Sequence, residues 1–223
     1  MTLVRKVLNK GFVKLVGTLG DELTLIQTAQ VGLDQVIDDS EKKKRLISAL
    51  LNNGHSGPFE HIVFTFHVKC PLFIAKQWMR PQLGSFNEMS SRHITVGSDF
   101  YTPVYFRKQM SKNAVPETMS EIECNELAAK FDNFYRWSYN FYKKLLDQGV
   151  TKEQARLVLP TGQFTQFYWT VHAKDLMTFI RTRTEKHTQW EMLQFVQALH
   201  SYFSELLPHT AEVFNQSYYR RLK

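Results

Sequence analysis

Apolar and polar positions along the chain fall into runs with different periods, and the periods separate the elements. Residues 61–69 alternate and are rich in Val, Phe and Ile, which predicts a strand with one buried face. Pro71 ends that run, and residues 72–79 take up helical spacing. Residues 164–171 repeat the strand pattern. Helical spacing recurs over 21–31, over 40–51, which opens on a good N-cap and stops before Gly54, and over 173–182 and 187–206. Between 116 and 146 the positions of Ile122, Leu127, Phe131, Phe134, Tyr135, Trp137, Tyr139, Phe141 and Leu145 predict one long helix, its aromatics used for packing. A short helix over 151–157, capped by Thr151 and closed by Pro160, follows it. The first 18 residues carry Arg5, Lys6, Lys10 and Lys14 and no acid; rich in Val and poor in Ser, they read as a strand or hairpin around Gly11 rather than a targeting segment. Residues 81–103 fit no period, are rich in Gly, Ser and Asn, and are too long for a connection, so a functional loop is expected there. With no repeat or linker, the predicted fold is α+β: a single domain over 1–223, with a mostly antiparallel central sheet flanked by long helices.

Composition narrows the partners. The 223 residues are 43% hydrophobic, enough for one substantial core and far from a disordered chain. No run approaches the roughly 20 apolar residues that span a bilayer, so no membrane partner is expected. The net charge of +7 favours anionic partners. Lys and Arg are scattered except at Arg220, Arg221 and Lys223, so a small phosphorylated ligand explains the excess as well as nucleic acid does. Cys70 and Cys124 offer no disulfide framework and fit a reducing, cytoplasmic setting.

Candidate chemistry concentrates around residue 80. On a helix through 72–80, Gln77 and Arg80 share a face and present an amide and a guanidinium to the same space, which suits a phosphate or a planar base. Glu88, Ser90 and Arg92 follow in the polar loop, where a hydroxyl and a second guanidinium can grip an anion. A solvated loop with an internal Glu88–Arg92 ion pair is the competing reading. His55, Glu60 and His61 have metal-ligand chemistry, but HSGPFEH matches neither H-E-x-x-H nor H-x-x-E-H, and no metal site is expected. His67 and His200 fall in a strand and a helix pattern and read as structural.

The run QWMRPQLGSFNEMSSRH resembles the signature of the flavin-dependent thymidylate synthases, Arg-His-Arg, seven residues, then Ser, within Q-W-x-R-H-R-x-x-S-x-N-E-x-S-x-R-Y. Arg80, Ser85, Asn87, Glu88, Ser90 and Arg92 are in register, and the likeness continues through GHSGPFEHIVFTFHVKCPLFIAKQW, GVTKEQARLVLP, FTQFYWTVHAKDLM and RTRTEKHTQWE, from about 40 to 198. The resemblance implies a homotetramer whose active sites are each built by several subunits. It implies conversion of dUMP to dTMP with methylenetetrahydrofolate, FAD and NADPH. It assigns Gln77, Arg80, Glu88, Ser90, Arg92 and Arg156 to dUMP, with Arg183 facing the uracil and favouring ionisation at N3, so that Arg183 and Ser90 are the catalytic pair. A cation beside the pyrimidine stabilises charge developing on the ring and makes C5 nucleophilic, so no enzyme nucleophile is required. Accordingly Cys70, in an apolar run, and Cys124, among acidic neighbours, read as structural. On the cofactor side it assigns His55, Ser56, Glu60, Asn87, Glu88, His172, Lys174, Thr178 and His187.

The departures cluster on that side. Arg-His-Arg is here Arg80-Pro81-Gln82, the family's Asn, Arg and Asn near FAD are His172, Lys174 and Thr178, and its Tyr after the signature Arg is His93. Three readings follow: an ordinary flavin-dependent synthase; a divergent enzyme modifying C5 of dUMP or dCMP differently, for example by hydroxymethylation; or a nucleotide-binding subunit or basic nucleic-acid binder without chemistry of its own.

Overall fold

The computed structural model describes residues 4–32, 37, 39–109, 117–185 and 187–221, the last five by backbone alone; Arg220 and Arg221 as side chains, and Lys223, lie outside it. The strands are β1 (Val4–Val7), β2 (Gly11–Leu19), β3 (Val63–Pro71), β4 (Ser85–Glu88) and β5 (Phe164–His172). The helices are α1 (Glu22–Ala29), α2 (Ser40–Asn52), α3 (Leu72–Met79), α4 (Glu121–Asp147), α5 (Lys152–Ala155), α6 (Ala173–Thr182), α7 (Trp190–Leu206) and α8 (Pro208–Arg221), with short 3-10 turns at Gly57–His61 and Arg156–Val158. Among the described residues no helix is long and apolar enough to cross a membrane.

One sheet in the order β1-β2-β3-β5-β4 carries the strands. β1–β2, β2–β3 and β4–β5 are antiparallel. At the centre, Thr65 meets Thr170 and His67 meets Gln166, each at 3.0 Å, so β3 and β5 also run in opposite directions. The expected α+β class and antiparallel sheet are therefore present, with the hairpin around Gly11 as its edge.

The chain divides into two compact units: Met1–Cys70, Lys76–Glu88 and Gln166–Lys223 form the first; Pro71–Ala75 and Met89–Thr165 form the second. In the first, alternation in β3 and β5 drives Phe64, Phe66, Val68, Phe167, Trp169 and Val171 inward. Trp78 lies among Phe167, Trp169, Phe179 and Phe195, with ring centroids 5.1–5.9 Å away, and is fully buried. Truncating such a residue typically costs about 3–5 kcal/mol. In the second unit, Val96, Tyr142 and Ala155 centre a separate core under α4 and α5.

Several boundaries depart from expectation. Within the expected loop 81–103 lies β4, carried by a single apolar side chain, Phe86, whose ring stacks on Trp169 at 5.9 Å. One apolar position is too few for alternation to show. The long helix starts at Glu121, where Ser120 and Glu123 form a capping box; residue 116, its expected start, lies outside the described residues. Its buried face is Cys124, Tyr135, Ser138 and Tyr142, while Phe131, Phe134, Trp137 and Phe141, four of the six aromatics expected to pack, are exposed. Asp39, not Ser40, caps α2; Thr151 caps α5 without a side-chain bond; and α7 begins at Trp190 rather than 187. α8 carries no signal strong enough to have been anticipated.

Candidate functional site

In the first unit, the end of α3 meets the end of α6. Gln77, half-buried, donates from Nε2 to Oε1 of Gln189 at 2.7 Å, and its backbone carbonyl accepts from the Arg183 guanidinium at 2.7 Å. That carbonyl belongs to the last turn of α3, where helix geometry leaves acceptors without partners. Arg183 thus closes α3, and its Cζ stands 6.0 Å from the Phe179 ring. Its Nε is buried with no hydrogen-bond partner. An unmet N–H of this kind costs about 1–3 kcal/mol. Arg80 follows α3 directly and is exposed. Asn87 and Glu88 are also exposed, but on β4, opposite Tyr168 and Phe167, rather than on the loop expected there.

In the second unit, residues 89–97 are held in a defined path. Val96 is buried, its N–H donating to the Tyr142 hydroxyl at 3.3 Å and its carbonyl accepting from the Tyr139 hydroxyl at 3.2 Å. Lys152 of α5 donates to the His93 carbonyl at 3.0 Å, and Arg156 donates to the Ser91 hydroxyl at 2.6 Å. Ser90 and Arg92 flank that hydroxyl in the chain, and both are exposed. The Ser90 carbonyl accepts from the N–H groups of His93 and Ile94, so the turn presenting Ser90 is closed by its own backbone.

The residues expected at a cofactor separate into two groups. Ser56, Lys174 and Thr178 line a cavity of about 310 Å³, together with Arg181. Leu51, Phe59, Met177 and Phe214 supply its apolar wall. That volume lies at the lower end of small-molecule sites, about 300–1,000 Å³, and matches part of a dinucleotide rather than all of one. Two cations, two hydroxyls and an apolar wall fit a phosphate with a flat ring beside it, so the donor set accommodates a flavin nucleotide in part. His55, His172 and His187 do not line the cavity; all three are exposed, His172 at the N-cap of α6 without a side-chain cap bond. Glu60 holds the Lys174 ammonium at 2.5 Å. That hydrogen bond pulls the Glu60 carboxyl below its usual range and pushes Lys174 above its own. Lys174 is therefore a paired cation.

Neither thiol is placed as a nucleophile. Burial, with a smaller contribution from the charge of Glu88, raises Cys70 well above the ordinary thiol range. Cys124 is buried on α4, where its sulfur lies 3.4 Å from the Phe106 nitrogen. His67 and His200 are structural, bonded to Gln166 and Asn215 at 3.0 and 2.9 Å. Sequence reasoning missed Gln189, Ser91 and Arg181. For Arg181 a signal existed: with Lys174 and Thr178 it continues one helical stripe.

Known proteins share the sequence and the fold of this chain. The family model described as "Thymidylate synthase complementing protein" matches residues 14–209. The chain is 43% identical over 221 residues to a flavin-dependent thymidylate synthase of Thermosipho melanesiensis, covering 96% of this chain and 95% of that protein. It is 42% identical over 214 residues to the flavin-dependent thymidylate synthase of Thermotoga neapolitana, covering 96% and 95%. Among solved structures, the UMP/dUMP methylase PolB from Streptomyces cacaoi bound with 5-Br dUMP superposes with a TM-score of 0.86 at 28% identity, over 95% of this chain and 97% of that one.

Proposed function

Because the chain belongs to the flavin-dependent thymidylate synthase family, we propose that it converts dUMP to dTMP, with FAD as cofactor and methylenetetrahydrofolate and NADPH as co-substrates. One observation carries the reading: Arg183, half-buried and fixed by the Gln77 carbonyl, keeps a buried Nε–H without a protein acceptor. A fixed guanidinium of this kind recognises a carbonyl or an ionised ring nitrogen of a pyrimidine. It favours the anionic form of the ring and thereby electron density at C5. The buried, raised Cys70 thiol agrees with a route that uses no enzyme nucleophile. Bound FAD supplies the redox capacity that turns a transferred one-carbon unit into a methyl group.

The nucleotide-directed residues fall in both units: Gln77, Arg80, Glu88 and Arg183 in the first; Ser90, Arg92 and Arg156 in the second. A homotetramer with sites shared between subunits, the assembly the resemblance implies, lets these sets serve dUMP without belonging to the same copy. The family match from 14 to 209 runs through both units and supports taking 1–223 as one family domain. A cytoplasmic location accords with such a biosynthetic role.

Mass spectrometry of the nucleotide product tests the proposal, with purified protein, FAD, NADPH and methylenetetrahydrofolate, and with UMP run beside dUMP. The expected product is dTMP, formed only when flavin and NADPH are both present. Absence of any 5-methyl product would overturn the reading. A 5-hydroxymethyl product in its place would select the divergent reading that Pro81 and Gln82 open.

A further inference from the structure

Lys174, Thr178 and Arg181 stand at i, i+4 and i+7 on α6, one stripe on one helix face, and all three line the 310 Å³ cavity. The two cations differ in what they already hold. The Lys174 ammonium is 2.5 Å from Glu60, which does not line the cavity and draws that charge to itself. The Thr178 hydroxyl donates to the Lys174 carbonyl at 3.1 Å, so its proton is committed as well. The Arg181 guanidinium is exposed and makes no hydrogen bond or ion pair among the described residues. The uncommitted positive charge of the cavity is therefore that of Arg181. Its planar fork matches two phosphate oxygens in a way an ammonium does not.

We propose that Arg181 grips the phosphate of the nucleotide cofactor in this cavity, with the Lys174–Glu60 pair as a neutral wall beside it. The inference rests on the flavoprotein reading for the identity of the ligand, and on the α6 geometry alone for the identity of the residue. A bland role for Arg181 exists, since a cation in the last turn of a helix favours the helix dipole. That role would show in stability and not in ligand affinity.

The test titrates the full chain with FAD, followed by flavin fluorescence, and separately with ADP, followed by calorimetry, at low salt. Arg181→Gln is expected to weaken both by about 10- to 100-fold with the melting temperature unchanged, the usual consequence of losing one charge-assisted hydrogen-bonded pair. Arg181→Lys should fall between that variant and the wild type, and Lys174→Gln should lose less than Arg181→Gln. Arg181→Gln binding both ligands as tightly as the wild type would overturn the proposal, as would a larger loss in Lys174→Gln. Wild-type protein that takes ADP but no FAD would overturn the flavoprotein reading and leave Arg181 to be judged on ADP; wild type that takes neither overturns both.

Discussion

Arg183 shows how much one side chain can be asked to do. One end of its guanidinium closes the last turn of α3 through the Gln77 carbonyl, and its buried Nε has no partner. Under the proposed function, replacing Arg183 by Gln removes the cation proposed to favour the ionised ring, an interaction strongest as charge develops. Turnover of Arg183→Gln is therefore expected to fall by about 10²–10³, the scale of losing one preorganised charge-stabilising donor. dUMP affinity should fall much less, because the residues proposed for the phosphate are unchanged; single-turnover kinetics beside equilibrium dUMP binding measures the split. The position of Arg183 was legible in the sequence through the run RTRTEKHTQWE, but its tether to Gln77 was not, because it exists only once α3 and α6 have packed. The same holds for Lys174, whose charge is visible in the sequence and whose partner, 114 residues away, is not. The Glu60 carboxyl titrates below its unfolded range, so the pair's contribution is present above that range and lost as pH falls through the lowered folded value. Lys174 titrates above its unfolded range, so its contribution is present below that range and lost only as pH rises past the raised value. The pair is intact throughout the neutral region. It is also solvent-exposed, so Glu60→Gln is expected to change stability little at pH 7, and urea unfolding from pH 7 to 3 should show any difference from wild type vanish in acid.

At the scale of elements, β4 is the place where sequence patterns fail and a glycine explains the outcome. Gly84 has φ +77°, and a Cβ there would stand 2.2 Å from the Thr170 carbonyl oxygen. The chain can therefore turn from Gln82 into β4, with Ser85 opposite Thr170, only because residue 84 has no side chain. Gly84→Ala is expected to destabilise the protein by about 1–3 kcal/mol or more, since the new methyl meets backbone and not a movable side chain. Binding of dUMP should weaken with it, because Glu88, proposed for dUMP, rides on β4. Denaturant unfolding and nucleotide titration of the same variant check both effects; full stability with full affinity would remove Gly84 from this role. Elements with dense, regular apolar positions, β3, β5 and α6, were legible from period alone. α4 was legible as a helix but not in its facing, because aromatics occur on both of its sides and period cannot tell which side a neighbour covers.

For the whole molecule, the division of the residues proposed for the nucleotide has a consequence that is independent of any single contact. Arg183 is in one compact unit and Arg156 in the other. If subunits share each site, a site can draw these two arginines from different copies. Arg183→Gln and Arg156→Gln should each be nearly inactive alone. In a mixed assembly, however, one class of site collects both defects and another collects neither. Subunits of the two variants, dissociated, mixed and reassembled, are therefore expected to regain turnover that neither parent shows, with a wild-type KM for dUMP because the restored sites are intact. Mixing without dissociation should restore nothing. If one chain supplies both arginines to the same site, no mixture recovers activity, since every chain carries a defect. The KM of the recovered fraction separates true complementation from two weakened sites adding up, for a weakened site would keep the KM of its variant.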